Sequence, residues 1–278
     1  MNRPFQQVDV FTDRPYFGNP VAVVLDGQGL DTAQMHRFTE WTNLSEATFV
    51  LPPEDPQADY RLRIFCPGRE LPFAGHPTLG SCHAWLAAGG QAKGEFIVQE
   101  CGVGLVRIRR DGQRLAFAAP PLRRNGALDD DELDRILRGL QLNATDVLAS
   151  AWCDNGPGWR ALLLRNVDRL LALKPDATLL KGLDVGLAAL HPAGGENQLE
   201  VRAFFPGNGG TVVEDPVTGS LNAALAQWLI GSGRLPSSYV AAQGTAMGRA
   251  GRVFVQQQGS DIWIGGHSVS CISGQVEL

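Results

Sequence analysis

Two dipeptides place an ionisable side chain directly ahead of a proline in a turn of small residues: His76-Pro77 in GHPTLGS and Asp215-Pro216 in DPVTGS. An imidazole that titrates near neutral pH and a carboxylate together supply a proton donor and acceptor. Each also has a plainer reading, a buried His bonded to backbone and an Asp that caps a helix. A third carboxylate, Glu46 in TNLSEATFVL, stands directly before the apolar run Ala47–Leu51. At an open edge it is a solvated Glu; beside a cleft, apolar surroundings raise its pKa and make it a usable general acid or base. Asn19 in FGNPVAVVL is an amide in a turn flanked by Gly and Pro, by default turn chemistry.

Both turns feed a helix start, where unpaired backbone N–H groups and the helix dipole favour an anion. The Gly, Ser and Thr residues at these starts, among them Ser81, Thr218 and Ser220, are therefore candidates for holding a small carboxylate, and domain interfaces are where such pockets form. The alternative is that Ser81, Thr218 and Ser220 only cap helices that begin near Ser81 and Ser220.

The elements that must position these groups come as a repeat. Leu62–Leu86 laid over Val201–Leu225 at a constant offset of 139 gives nine identities in 25 positions without a gap, from Arg63/Arg202 and Phe65/Phe204 to Ser81/Ser220 and Leu86/Leu225. The spacing holds through two turns, which favours a duplicated α+β domain over chance sharing of Gly, Pro and Ala at corners. His76 and Asp215 occupy the same place in the two copies. RLRIFCP and EVRAFFP alternate like half-buried strands, and SCHAWLAA and SLNAALAQWLI have the composition of a buried helix. Short runs such as QVDVF, VAVVL, FIVQE, RLAFAA, YVAAQ and DIWIGG predict strongly curved mixed sheets, barrel-like, around one central helix per domain. AAPPLRRNGALDDDELDRIL is the linker candidate, giving domains 1–118 and 119–278, with a C-terminal strand at about 267–278 free to pack on the first.

A net charge of −5, from 24 basic and 29 acidic residues, gives no footprint for nucleic acid or an anionic membrane. No run reaches the roughly 18 apolar residues of a membrane span, and MNRPFQQVDVFTD lacks a secretory apolar core, so a cytoplasmic location is expected. Five cysteines without CxxC read as reduced, mostly buried thiols, and no His stands at ligand spacing, so no metal site is expected. GxGxxG after a strand, GxxxxGK[ST] and GxSxG are all missing.

Read together, VDVFTDRPYFGNPVAVV, NLSEATFV, RIFCPGRELPFAGHPTLG, VRAFFPG, EDPVTGS and QGTAMGRAGRV resemble the phenazine-biosynthesis isomerase-like family, within the diaminopimelate-epimerase-like fold. The resemblance implies two similar domains with the active site between them, a homodimer, and acid/base isomerisation without cofactor or metal. It implies that Glu46 is the acid/base group that shuttles a proton on a small cyclic or amino-acid-like carboxylate, such as a dihydro-hydroxyanthranilate. His76 and Asp215 support it by positioning the substrate, and Asn19, Ser45, Gly75, Gly219 and Ser220 bind it. Epimerases of this fold use two cysteines at the turns, where this chain has Gly75 and Asp215, so a thiol-dependent racemase is disfavoured. Ala250-Gly251 replaces a common Pro-Ser, and Cys66 a common Thr. A non-catalytic carboxylate-binding protein on the same fold is the alternative from another class, with a basic-patch interaction protein a distant third.

Overall fold

The computed structural model describes residues 1–278, the side chain of Asn208 excepted. The chain divides into two compact units, Met1–Ala118 with Gly265–Leu278, and Ala119–Ile264.

The first unit opens with β1 (Asn2–Val10), β2 (Asn19–Val24), α1 (Thr32–Thr42), β3 (Ala47–Leu51) and β4 (Tyr60–Cys66). It continues through β5 (Arg69–Leu71), α2 (Gly75–Ala87), β6 (Ile97–Cys101), β7 (Gly104–Asp111) and β8 (Arg114–Ala118). β2 pairs antiparallel with β1 and parallel with β3, across the crossover helix α1. β4 runs antiparallel to β3 and parallel to β6, with Tyr60 opposite Gln99, and α2 makes this second crossover. β6, β7 and β8 then form a meander. Val21–Val24 are buried without alternation because α1 covers one face of the sheet and α2 the other. On the α1 side, Met35 and Phe38 pack with Phe49 and Phe65. On the α2 side the helix lies so close that a Cβ on Gly80 would sit 2.4 Å from Val21 Cγ1, so only glycine fits.

The second unit contains β9 (Arg124–Gly126), α3 (Asp130–Gly139), β10 (Val147–Asp154), β11 (Trp159–Leu164), α4 (Val167–Leu171) and β12 (Val185–Leu190). After these come β13 (Leu199–Pro206), β14 (Val212–Asp215), α5 (Gly219–Gly231), β15 (Ser238–Gln243), β16 (Gly251–Gln258) and β17 (Asp261–Gly266). Its pairings repeat those of the first: β10–β11 antiparallel, β11–β12 parallel, β12–β13 antiparallel, β13–β14 antiparallel, β13–β15 parallel and β15–β16 antiparallel. The final strand β18 (Ser268–Glu277) lies on β1, and β9 lies on β10. Each unit is thus a mixed sheet with one buried helix of 13 residues, an α+β duplication. Gly186 does for α5 what Gly80 does for α2: a Cβ there would lie 2.3 Å from Leu221 Cδ1.

Two local expectations are corrected. α2 begins at Gly75, six residues before Ser81, with Ala74 extended as its N-cap. Pro77 falls in the first turn, where its missing N–H has no helical acceptor to lose, so the helix runs through it. Ser81 is consequently an interior residue and not a cap. The stretch after Ala118, which composition marks as linker, holds a short strand, β9, paired through Asn125 to Cys153.

Candidate active site

In the first unit, β2 begins at Asn19, opposite Val10 of β1. The Glu46 carbonyl accepts from the Ala22 N–H (3.4 Å), which ties the residue ahead of β3 to the same region of the sheet. The first turn of α2 presents His76 to both. Its Nε2 lies 3.3 Å from Glu46 Oε2, with the Glu46 side chain 16% and that of His76 4% exposed. Its Nδ1 lies 3.2 Å from Asn19 Nδ2. An amide nitrogen only donates, so in the ring tautomer protonated at Nε2 this contact has Nδ1 as the acceptor. Burial pushes the His76 pKa down to about 3, a hydrogen bond to the Pro20 backbone opposing it only in part. The expected near-neutral imidazole is therefore a neutral one at working pH, because no water reaches it to solvate a charge. Ser45 is half-buried beside Glu46, and Gly75 is buried at the start of α2.

In the second unit, β14 ends at Asp215, which is 8% exposed. The Thr218 hydroxyl donates to Asp215 Oδ2 at 2.6 Å and makes no capping bond to its own helix. Gln243, fully buried at the end of β15, holds this turn at four points. Its Oε1 accepts from Thr218 N (3.0 Å) and Asn222 Nδ2 (2.8 Å), while its Nε2 donates to the Asp215 carbonyl (3.1 Å) and Thr218 Oγ1 (2.9 Å). Gly219 and Ser220 open α5, so their N–H groups lie in the first turn, where helices bind anions. Sequence reasoning passed over Gln243 and its counterpart Gln99, which donates to Thr78 Oγ1 at 3.0 Å. The signal available was a glutamine inside an otherwise apolar strand. Among the described residues no three His, Cys, Asp or Glu side chains come together as a metal donor set, and no helix is long and apolar enough to cross a membrane.

Residues 8–274 match the family described as phenazine biosynthesis-like protein. The chain belongs to that family. Among phenazine biosynthesis-like relatives, it is 35% identical over 292 residues to antisense-enhancing sequence 1 of Schizosaccharomyces pombe, covering 98% of this chain and 97% of that protein. It is 34% identical to the trans-2,3-dihydro-3-hydroxyanthranilate isomerase of Pseudomonas fluorescens, over 91% of this chain and 89% of the other. The structure of a predicted epimerase from Pseudomonas aeruginosa superposes with a TM-score of 0.81 at 27% identity, over 99% of both chains.

Proposed function

We propose that the protein is an isomerase that moves a proton by acid/base catalysis on a small cyclic or amino-acid-like carboxylate. The observation that carries this reading is Glu46 Oε2 set 3.3 Å from the neutral, buried His76 Nε2. A neutral imidazole adds no positive charge beside the carboxylate. In this mechanism Glu46 removes a proton from a substrate C–H, and the electron pair left on that carbon delocalises through the adjacent unsaturated system. Glu46 returns the proton to another carbon, so the carboxylate is regenerated and no electron is gained or lost. Within the first unit His76 and Asn19 adjoin the acid/base group; within the second, the family resemblance supports Asp215 for a polar group of the substrate and Gly219 with Ser220 for its carboxylate. Ser45 and Gly75 complete the binding groups. The isomerases among the relatives support the reaction class and a dihydro-hydroxyanthranilate as the first substrate to try. The family resemblance extends the proposal to a cytoplasmic homodimer, which sedimentation velocity tests.

The decisive experiment incubates the protein with a panel of cyclic amino and hydroxy acids, including trans-2,3-dihydro-3-hydroxyanthranilate, in deuterated water. Deuterium appearing at carbon, with a shifted double bond, is the expected result. Saturable binding without exchange across the panel would replace the isomerase with a carboxylate-binding protein.

A further inference from the structure

Ser81 and Ser220 align at the sequence offset of 139 but sit differently, Ser81 inside α2 and Ser220 in the first turn of α5, and their hydroxyls make different bonds. Thr48 Oγ1 donates its single proton to the Ala22 carbonyl (3.3 Å). Its contact with Ser81 Oγ at 2.8 Å must therefore be made by the Ser81 proton, which is thereby used up inside the core. Ser220 has a different neighbour. Trp159 Nε1 lies 3.1 Å from Ser220 Oγ, and an indole N–H only donates. The serine oxygen is the acceptor in that bond, and among the described residues no acceptor holds the Ser220 proton.

The hairpin between β10 and β11 is built to hold this arrangement. Asp154 Oδ1 accepts from Gly156 N (2.7 Å) and Gly158 N (2.9 Å) and so closes the loop on itself. Gly158 sits at φ +83°, a conformation that favours glycine. The closed loop presents two donors to one residue: Asn155 Nδ2 to the Ser220 carbonyl (2.8 Å) and Trp159 Nε1 to its hydroxyl. Trp159 is 3% and Asn155 7% exposed, so both donors are buried.

We infer that Trp159 is a positioning residue that fixes the Ser220 hydroxyl as a hydrogen-bond donor to the substrate carboxylate. The inference rests on the assignment of Ser220 to carboxylate binding. With one lone pair engaged by the indole, the O–H proton remains for an acceptor beside the first turn of α5. A donor polarised by a second donor is stronger, and its rotor needs no reordering when an anion arrives.

The test measures binding of 3-hydroxyanthranilate and of its neutral carboxamide by calorimetry to wild type, Trp159→Phe, Ser220→Ala and the double variant. Trp159→Phe keeps an aromatic ring in the core, though a smaller one, and removes the N–H. It should weaken carboxylate binding about tenfold, the size of effect expected for a hydrogen bond to a charged group, and alter carboxamide binding by less than about twofold. Ser220→Ala should cost a similar factor, and the double variant should be no weaker than Ser220→Ala alone. If Trp159→Phe binds like wild type while Ser220→Ala weakens, or if the two losses multiply in the double variant, the positioning role is overturned and the carboxylate assignment stands. If Ser220→Ala leaves binding unchanged, or wild type does not bind the probe, the carboxylate assignment itself fails and takes this inference with it. Should Trp159→Phe fail to fold, site-specific 3-benzothienylalanine at position 159 replaces only the N–H by sulfur, and the same outcomes decide.

Discussion

His76 Nε2 stands 3.3 Å from Glu46 Oε2, and burial holds the imidazole neutral down to about pH 3. The pair is therefore not an ion pair at physiological pH. A protonated His76 would favour the charged form of a neighbouring carboxylate; the neutral ring puts no positive charge beside Glu46.

Glu46→Gln follows directly. The amide keeps the side chain's size and its contact with His76 but cannot carry a proton. Isomerase turnover should fall at least ~10²-fold, with ligand affinity largely retained, since the loss lies in the transition state. Solvent-deuterium exchange into substrate checks it. Wild-type exchange in Glu46→Gln, with exchange abolished in His76→Ala, would make the imidazole the base and reverse the roles assigned here.

The same imidazole predicts acid sensitivity of the fold. In the unfolded chain a histidine titrates near 6.5, whereas folded His76 titrates at about 3, so between these values the unfolded state binds a proton that the native state does not. Stability is fully present above pH 6.5 and falls as the pH drops toward 3, by ~1.4 kcal/mol per unit from this one group. Urea denaturation at pH 7.5, 6.0 and 5.0 should show a shallower decline for His76→Gln than for wild type. Equal slopes in the two proteins would show that His76 accepts a proton while folded.

Gln243 is the centre of the second turn, and its removal should be costly out of proportion to its size. Gln243→Leu leaves Thr218 N and Asn222 Nδ2 without the oxygen they share and frees Thr218 from Nε2. Stranded buried donors cost about 1 to 3 kcal/mol each, so a loss of ~2 to 5 kcal/mol is expected in urea melts. The same change at Gln99 should cost less, since its partners Tyr60 OH and Thr78 Oγ1 are hydroxyls, whereas Gln243 holds a backbone N–H. Equal costs would mean that packing, rather than hydrogen bonding, sets the value of these glutamines.

Much of this was legible in the sequence because a duplication leaves a pattern that needs no partner to be seen. Nine identities at one offset, with His76 over Asp215, pointed to two α+β copies and to the two turns proposed to carry the chemistry. The start of α2 was misplaced because Pro77 and the glycines read as turn, while the burial of the whole segment from Gly75 makes it helix. Gln243, Trp159 and Asn155 were not found, since each acts by reaching a residue far along the chain: Trp159 and Ser220 are 61 positions apart. Local patterns carry no trace of such contacts. The neutral state of His76 was missed for a similar reason, because burial comes from tertiary packing and not from the dipeptide.

Epimerases that work through paired cysteines need thiolates, and this chain has its cysteines in the wrong state for that. Cys82 lies within α2 and Cys153 within β10, and burial pushes both up to about 12. Cys66, which senses the Glu46 charge, is also raised, chiefly by burial. Thiols with raised pKa values are slow nucleophiles. Replacing all five cysteines by Ala or Ser should therefore preserve exchange chemistry, at a packing cost of about 1 to 3 kcal/mol at each buried site. Iodoacetamide at neutral pH should label the folded protein slowly and leave turnover intact. Rapid inactivation through a single labelled cysteine, in protein whose circular dichroism is unchanged, would move the proton-transfer role from Glu46 to a thiol.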